Sequence, residues 1–276
     1  MTKDQFFRFN KNNIQGGPGR LIIGEDTTIR PTKISDIMDT KTFELKEGFR
    51  DLGGTNEGIA RSRGNETEDV TIDQSVTPID STVSSWSNTI STTLMETSID
   101  NRSLAWAGGN IVETAAELGD STPLLAAVTK GNKKIKVAEG KGADFAAVSF
   151  AKIGDETIEI ASVSGDLITL KKGVSASYAT TDTITPVIEL GTKTISYGAP
   201  TTVGSYSLTL IVKREDGTFL MVHYYEVKIG DSVETNHGKE KATLPVSFTA
   251  FAQDDLPEDE SVFIEIEQVL GNDSLK

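Results

Sequence analysis

Apolar and polar residues alternate with a period of two through most of this chain, the pattern of strands buried on one face. It is clearest in residues 68–109, EDVTIDQSVTPIDSTVSSWSNTISTTLMETSIDNRSLAWAGG. Val70, Ile72 and Val76 share one face of a first strand, with Asp69, Thr71, Asp73 and Thr77 on the other. A second strand sets Trp86, Ile90 and Leu94 against Ser87, Thr89, Ser91 and Thr93. Pro78 and Asp80 provide turn chemistry between them. Beyond the second strand, Asp100 or Asn101 can cap a short helix over 102–109, ended by Gly108 and Gly109.

Later runs repeat the alternation. Tyr206, Leu208, Leu210 and Val212 alternate with Ser207, Thr209 and Lys213, and the Asp216-Gly217 turn leads into a strand over 219–229. Two more strands are expected over 242–251 and 261–268. Short β-rich runs over 134–137, 148–153, 156–163 and 167–170, separated by Gly154-Asp155 and Ser164-Gly165-Asp166, predict a compact β module. Other helical turns are expected over 34–38 and 112–118.

Charge marks that module as a unit. Residues 130–186 hold eight lysines against seven acids, a net of +1, while the other residues sum to −15. The expected organisation is therefore a discontinuous domain, 1–129 with 187–276, and an inserted module over 130–186. With 276 residues there is ample chain for a core. The net charge of −14 opposes attraction to nucleic acid phosphates. There is no cysteine and only His223 and His237 offer imidazole, so neither disulfides nor a zinc centre is expected. Apolar runs are too short for a membrane span, and residues 1–13 lack the apolar core of a signal peptide, so folding in a cytoplasm is expected.

Order and spacing of these elements resemble the major tail tube protein of long-tailed bacteriophages. The matching points are a strand near 19–24, a glycine-rich excursion, the acidic strand ending Asp73-Gln74, and the Pro78-Ile79-Asp80 turn. They continue through the threonine-rich strand ending Glu96-Thr97-Ser98, the run Leu104-Ala105-Trp106-Ala107-Gly108-Gly109, the 206–229 hairpin and a closing Pro245-Val246-Ser247-Phe248 strand. Residues 153–173 similarly resemble small β modules that recur in phage virion proteins. The resemblance implies a mainly β fold: a tail-tube-type β-sandwich or half-barrel with a flanking short α-helix, plus the inserted β module.

It also implies homo-hexameric rings stacked into a tube within the virion tail, after synthesis in the host cytoplasm. DNA would pass through the lumen during ejection without specific binding. Tape measure and tail terminator proteins would be further partners, and no membrane, cofactor or enzymatic activity is implied. In the family the excursion contacts the next ring. Here that maps to residues 45–67, with Phe49, Leu52 and Ile59 as apolar anchors and Arg50, Arg61 and Arg63 seeking acids on the neighbour. Glycines at 48, 53, 54, 58 and 64 would keep this arm mobile before docking. Glu68, Asp69, Thr71, Asp73, Thr89, Ser91 and Thr93 are the lumen-facing candidates. An insertion that projects outward favours a sheathless, non-contractile tail.

Other signals carry less. The acidic run 254–260 lacks the ligand spacing and glycine of a calcium loop. Gly16-Gly17-Pro18-Gly19 has no following Gly-Lys-Ser/Thr, and no serine sits in a Gly-x-Ser-x-Gly elbow. Alternative readings are a secreted bacterial surface or adhesion β-sandwich, or another virion component such as a capsid decoration or tail terminator protein.

Overall fold

The computed structural model describes residues 17–230, 233–235 and 241–269, so His237 lies outside the described residues. The chain is mainly β. In chain order it runs β1 (Gly19–Gly24), β2 (Phe49–Asp51), β3 (Thr55–Val70), β4 (Asp80–Leu94), α1 (Ile99–Ala105), β5 (Val112–Thr114), β6 (Glu117–Leu118), β7 (Thr122–Pro123), β8 (Lys134–Lys136) and β9 (Phe150–Ile153). It continues through β10 (Glu156–Ser164), β11 (Leu167–Leu170), β12 (Thr183–Glu189), β13 (Thr192–Thr194), β14 (Ser205–Lys213), β15 (Phe219–Gly230), β16 (Leu244–Phe251) and β17 (Phe263–Glu267). Two compact units result: Met1–Asn110 with Ile195–Lys276, and Ile111–Thr194.

The first unit is organised by an antiparallel sheet in the order β2-β1-β14-β15-β16-β4-β3. β15 is long enough to hold two partners end to end along one edge, β17 against Leu220–Tyr224 and β16 against Glu226–Gly230. The β14–β15 hairpin turns at Gly217, whose φ of 86° suits a residue without Cβ, and the Asp216 carboxylate accepts from the Thr218 N–H at 2.8 Å. Leu21, Ile23, Leu208, Leu210 and Val222 point to one face, where Ile90, Leu94, Phe248 and Leu104 of α1 close over them. On the other face Ile22, Ile211, Phe219 and Met221 pack under Ile34, Ile37 and Met38 from the β1–β2 connection.

β1, β14 and β15 are thus buried on both faces. Ser207 and Thr209, the polar side of the alternating β14, are fully buried with His223 beneath that connection. Alternation reports which residues share a face but not whether a loop later covers it.

Three local expectations are corrected. The helix cap is Ser98, whose side chain accepts from the Asn101 N–H at 3.2 Å, and the helix stops at Ala105, short of 109. Residues 112–118 form β5 and β6, because β13 and β12 supply strand partners that override local helical preference. Finally, the strand expected to run through Ile72 and Val76 ends at Val70, and residues 71–79 form a turn.

The second unit is a seven-stranded antiparallel sheet, order β6-β12-β9-β10-β11-β8 with β7 also on β12. Ile135, Val137, Phe145, Ile153, Ile168 and Ile184 are at its centre. The span 130–186 marked by charge lies inside it. β6 and β7 join from the N-terminal side by pairing with β12, and β5 pairs with β13 as a two-stranded ribbon.

Candidate assembly interface

β3 and β4 form a hairpin of unusual length. Sixteen residues of β3 face fifteen of β4, and at about 3.3 Å per residue β3 spans roughly 50 Å. β16 flanks β4 only from Thr89 to Leu94. Beyond that point, among the described residues, β3 and β4 have only each other as strand partners, and although Asn88 is buried nearly every side chain of residues 63–70 and 80–87 is exposed. A bulge marks the base of this ribbon: Glu57 and Gly58 carry φ of 66° and 82°, between the Asn56–Thr93 and Ile59–Thr92 pairs. The Thr92 hydroxyl donates to the Gly58 carbonyl at 2.7 Å and fixes the kink.

Three of the six arm residues, Ile59, Arg61 and Arg63, fall on this hairpin, the other three lie in or just after β2, and all six make contacts within their own unit. Phe49 lies half-buried in β2 against the cluster of Ile22, Ile34 and Ile37 under the β1–β2 connection. The exposed Arg50 donates from Nη1 to Asn101 Oδ1 at 2.6 Å. Asn101 is 2% exposed, and its Nδ2 donates to the Leu52 carbonyl at 2.9 Å and the Glu96 carbonyl at 2.8 Å, tying β2, β4's end and α1 together. Leu52 is 1% exposed in the main core, which leaves nothing of it to anchor elsewhere. Ile59 packs on that core's edge. Arg61 donates from Nε to Tyr224 Oη at 2.9 Å and pairs with Glu265 at 3.4 Å. Arg63 lies 4.6 Å from the Trp86 ring centre and 5.4 Å from that of Phe263. Residues 55–67 are therefore strand, and the expectation of a mobile glycine-rich loop is corrected there.

The lumen candidates divide into two groups. Thr89, Ser91 and Thr93 share one face of β4, beside Ser62, Ala60 and Asn56 of β3 and Thr249, Ser247 and Pro245 of β16. They line an open hollow of about 550 Å³ that also includes Glu57 and Gly230. This is a surface of short hydroxyl side chains. Glu68 and Asp69 lie at the far end of β3, about 30 Å away at strand rise, and being consecutive they point to opposite faces. Thr71 and Asp73 are in the turn. Sequence alternation grouped all seven, but distance along the ribbon, a second register shift between Glu66 and Thr67, and the end of β3 at Val70 separate them.

Perturbed titratable groups mark structural contacts. Burial pushes the His223 imidazole down to about 4, helped by the nearby Arg30 charge and opposed by its interaction with the Ile29 backbone, which favours the protonated form. Burial also pushes the Tyr178 phenol up to about 12, helped by its hydrogen bond to Glu156 at 2.8 Å. Among the described residues there is no group of three potential metal ligands, and no helix is long and apolar enough to cross a membrane. No protein-family model matches this chain, and no curated protein does so in sequence.

Proposed function

We propose that this chain is a structural subunit that joins copies of itself into stacked, hexameric rings forming a virion tail tube, the conduit for DNA ejection. The observation that carries this reading is the β3–β4 ribbon. A two-stranded ribbon exposed on both faces is marginal in water, and its length is useful only against another surface. Its outer strand β3 offers sixteen residues of unpaired edge, and β2 forms the opposite edge of the same sheet. Edge pairing between copies would continue that sheet around a ring.

The hydroxyl face of Thr89, Ser91, Thr93, Ser247 and Thr249 is the proposed lumen wall. Neutral hydroxyls give DNA no cation to adhere to, and the acidic balance elsewhere keeps the phosphates repelled. Glu68, Asp69, Thr71 and Asp73 belong instead to the part that reaches the neighbouring ring. Tape measure and tail terminator proteins are the proposed partners at the ends of such a tube.

Electron microscopy of the purified protein tests this. Hollow tubes or rings are expected. A chain that stays monomeric at every salt and protein concentration overturns the reading.

A further inference from the structure

The apolar surface of the hairpin tip and one small cavity in the same unit are complementary in size and charge. In the turn between β3 and β4, Ile72, Val76 and Ile79 are exposed, Val76 completely. Acids surround them: residues 66–80 contain Glu66, Glu68, Asp69, Asp73 and Asp80 and no lysine or arginine. An exposed aliphatic cluster at the end of a long ribbon has no partner within its own hairpin.

The cavity lies at the start of β1. Met38, Phe43, Ile211 and Phe219 give it apolar walls, Arg20 and Lys213 stand at its rim, and its volume is about 190 Å³. That is below the roughly 300–1,000 Å³ of small-molecule sites and suits one or two aliphatic side chains. Phe43 is 6.2 Å from Phe219, centre to centre, and lies beneath the Lys213 ammonium at 4.9 Å. It adopts a φ of 61°, uncommon for a bulky side chain, with its N–H on the Asp39 carbonyl and its own carbonyl on Arg20 Nη1 at 2.7 Å. Among the nearby acids Asp51 pairs with Arg20, the Asp39 carboxylate accepts from the N–H groups of Lys41 and Thr42, and Glu44, beside Phe43 in sequence but not in the cavity lining, accepts from the Thr42 hydroxyl at 3.5 Å. Of the two cations that line the cavity Arg20 is paired with Asp51, and Lys213 has no carboxylate partner among the described residues, so the lining keeps one positive charge.

We propose that this cavity receives the β3–β4 tip of a second copy, with Val76 and its aliphatic neighbours against Phe43 and the tip acids against Lys213. This rests on the proposed self-assembly for its occupant. Charge decides between that occupant and the chain's own first residues. Residues 1–16 supply Phe6, Phe7 and Phe9 but carry Lys3, Arg8 and Lys11 against Asp4 alone, so they would bring like charge to a cationic rim.

The chain has no native cysteine, so introduced thiols report without background. Chains carrying Thr77→Cys are mixed with size-tagged chains carrying Thr42→Cys, neither of which alters the tip aliphatics or the cavity walls. After assembly and mild oxidation, mixed disulfide dimers are expected to exceed homodimers several-fold. Adding Val76→Asp or Lys213→Glu is expected to cut that yield several-fold. Tubes seen by electron microscopy without enrichment of mixed dimers, or with yields unmoved by both variants, overturn the inference and leave the tube reading standing. Mixed dimers without tubes support the contact and count against the tube. Absence of any self-association sinks both. A Phe7→Cys, Thr42→Cys double variant that closes within one chain assigns the cavity to residues 1–16 and overturns the proposal.

Discussion

His223 is fully buried between Thr209, which shares a hydrogen bond with its Nδ1 at 2.8 Å, and the Tyr225 ring, 5.7 Å away and edge-on. The Arg30 guanidinium covers the other ring of that pair, 4.5 Å from the Tyr225 centre. A proton on this imidazole would be desolvated and repelled, which is why its pKa falls from 6.5 to about 4. Between those two values the unfolded chain binds a proton that the folded chain refuses. Stability is therefore full above pH 6.5 and falls as pH drops toward 4, by at most about 3 kcal/mol. Urea titrations of the first unit at stepwise pH check this, with His223→Gln expected to flatten the slope in that window. An unchanged slope would mean that other groups carry the acid sensitivity. The sequence showed His223 as one imidazole in an alternating strand; its burial depended on Ile29 and Arg30, which lie nearly two hundred positions away and leave no local mark.

At the scale of elements, strands with a strict hydrophobic face were readable, and β1 and β11 have the limits that their residues suggest. The long β3 was not. Its sequence, TNEGIARSRGNETEDV, carries glycines and charges that are depleted in strands and no apolar period. It is a strand because β4 opposite is rich in Ser and Thr and carries Trp86, and because a ribbon exposed on both faces needs no buried one. The same fact predicts how it behaves. In the unassembled chain, amides of residues 64–70 and 80–87 should exchange with solvent far faster than those of β14 and β15, which are buried on both faces. On assembly the ribbon amides should slow by at least tenfold while β14 and β15 stay as they were. Hydrogen exchange with mass spectrometry reads both states, and ribbon amides equally protected before assembly would remove the argument from marginal stability. Trp86→Ala tests the packing side: its ring touches Arg63 in the open, so unit stability should change by less than about 1 kcal/mol while assembly weakens.

For the molecule as a whole, the charge step along the sequence pointed to an inserted module but could not locate its ends, because β6, β7 and the β5–β13 ribbon are joined by pairing and not by composition. The geometry at the junction is favourable for excision. Thr194 pairs with Val112, and just outside the unit the Gly109 N–H donates to the Ser196 carbonyl at 2.9 Å, so the chain leaves and returns at neighbouring positions. Each unit also has its own apolar centre, Leu21 to Phe248 in one and Ile135 to Ile184 in the other. Closing so short a gap costs little loop entropy. Replacing Ile111–Thr194 by a short Gly-Ser linker should therefore leave a first unit that unfolds cooperatively, with the His223 acid dependence intact, and that still assembles under the electron microscope. Ile111–Thr194 expressed alone should fold with its own transition, since its core draws on no residue outside it. If the shortened chain folds but no longer assembles, the second unit belongs to the interface between copies; if it fails to fold while Ile111–Thr194 alone succeeds, the first unit depends on the second for its own core, against the separation of their contacts.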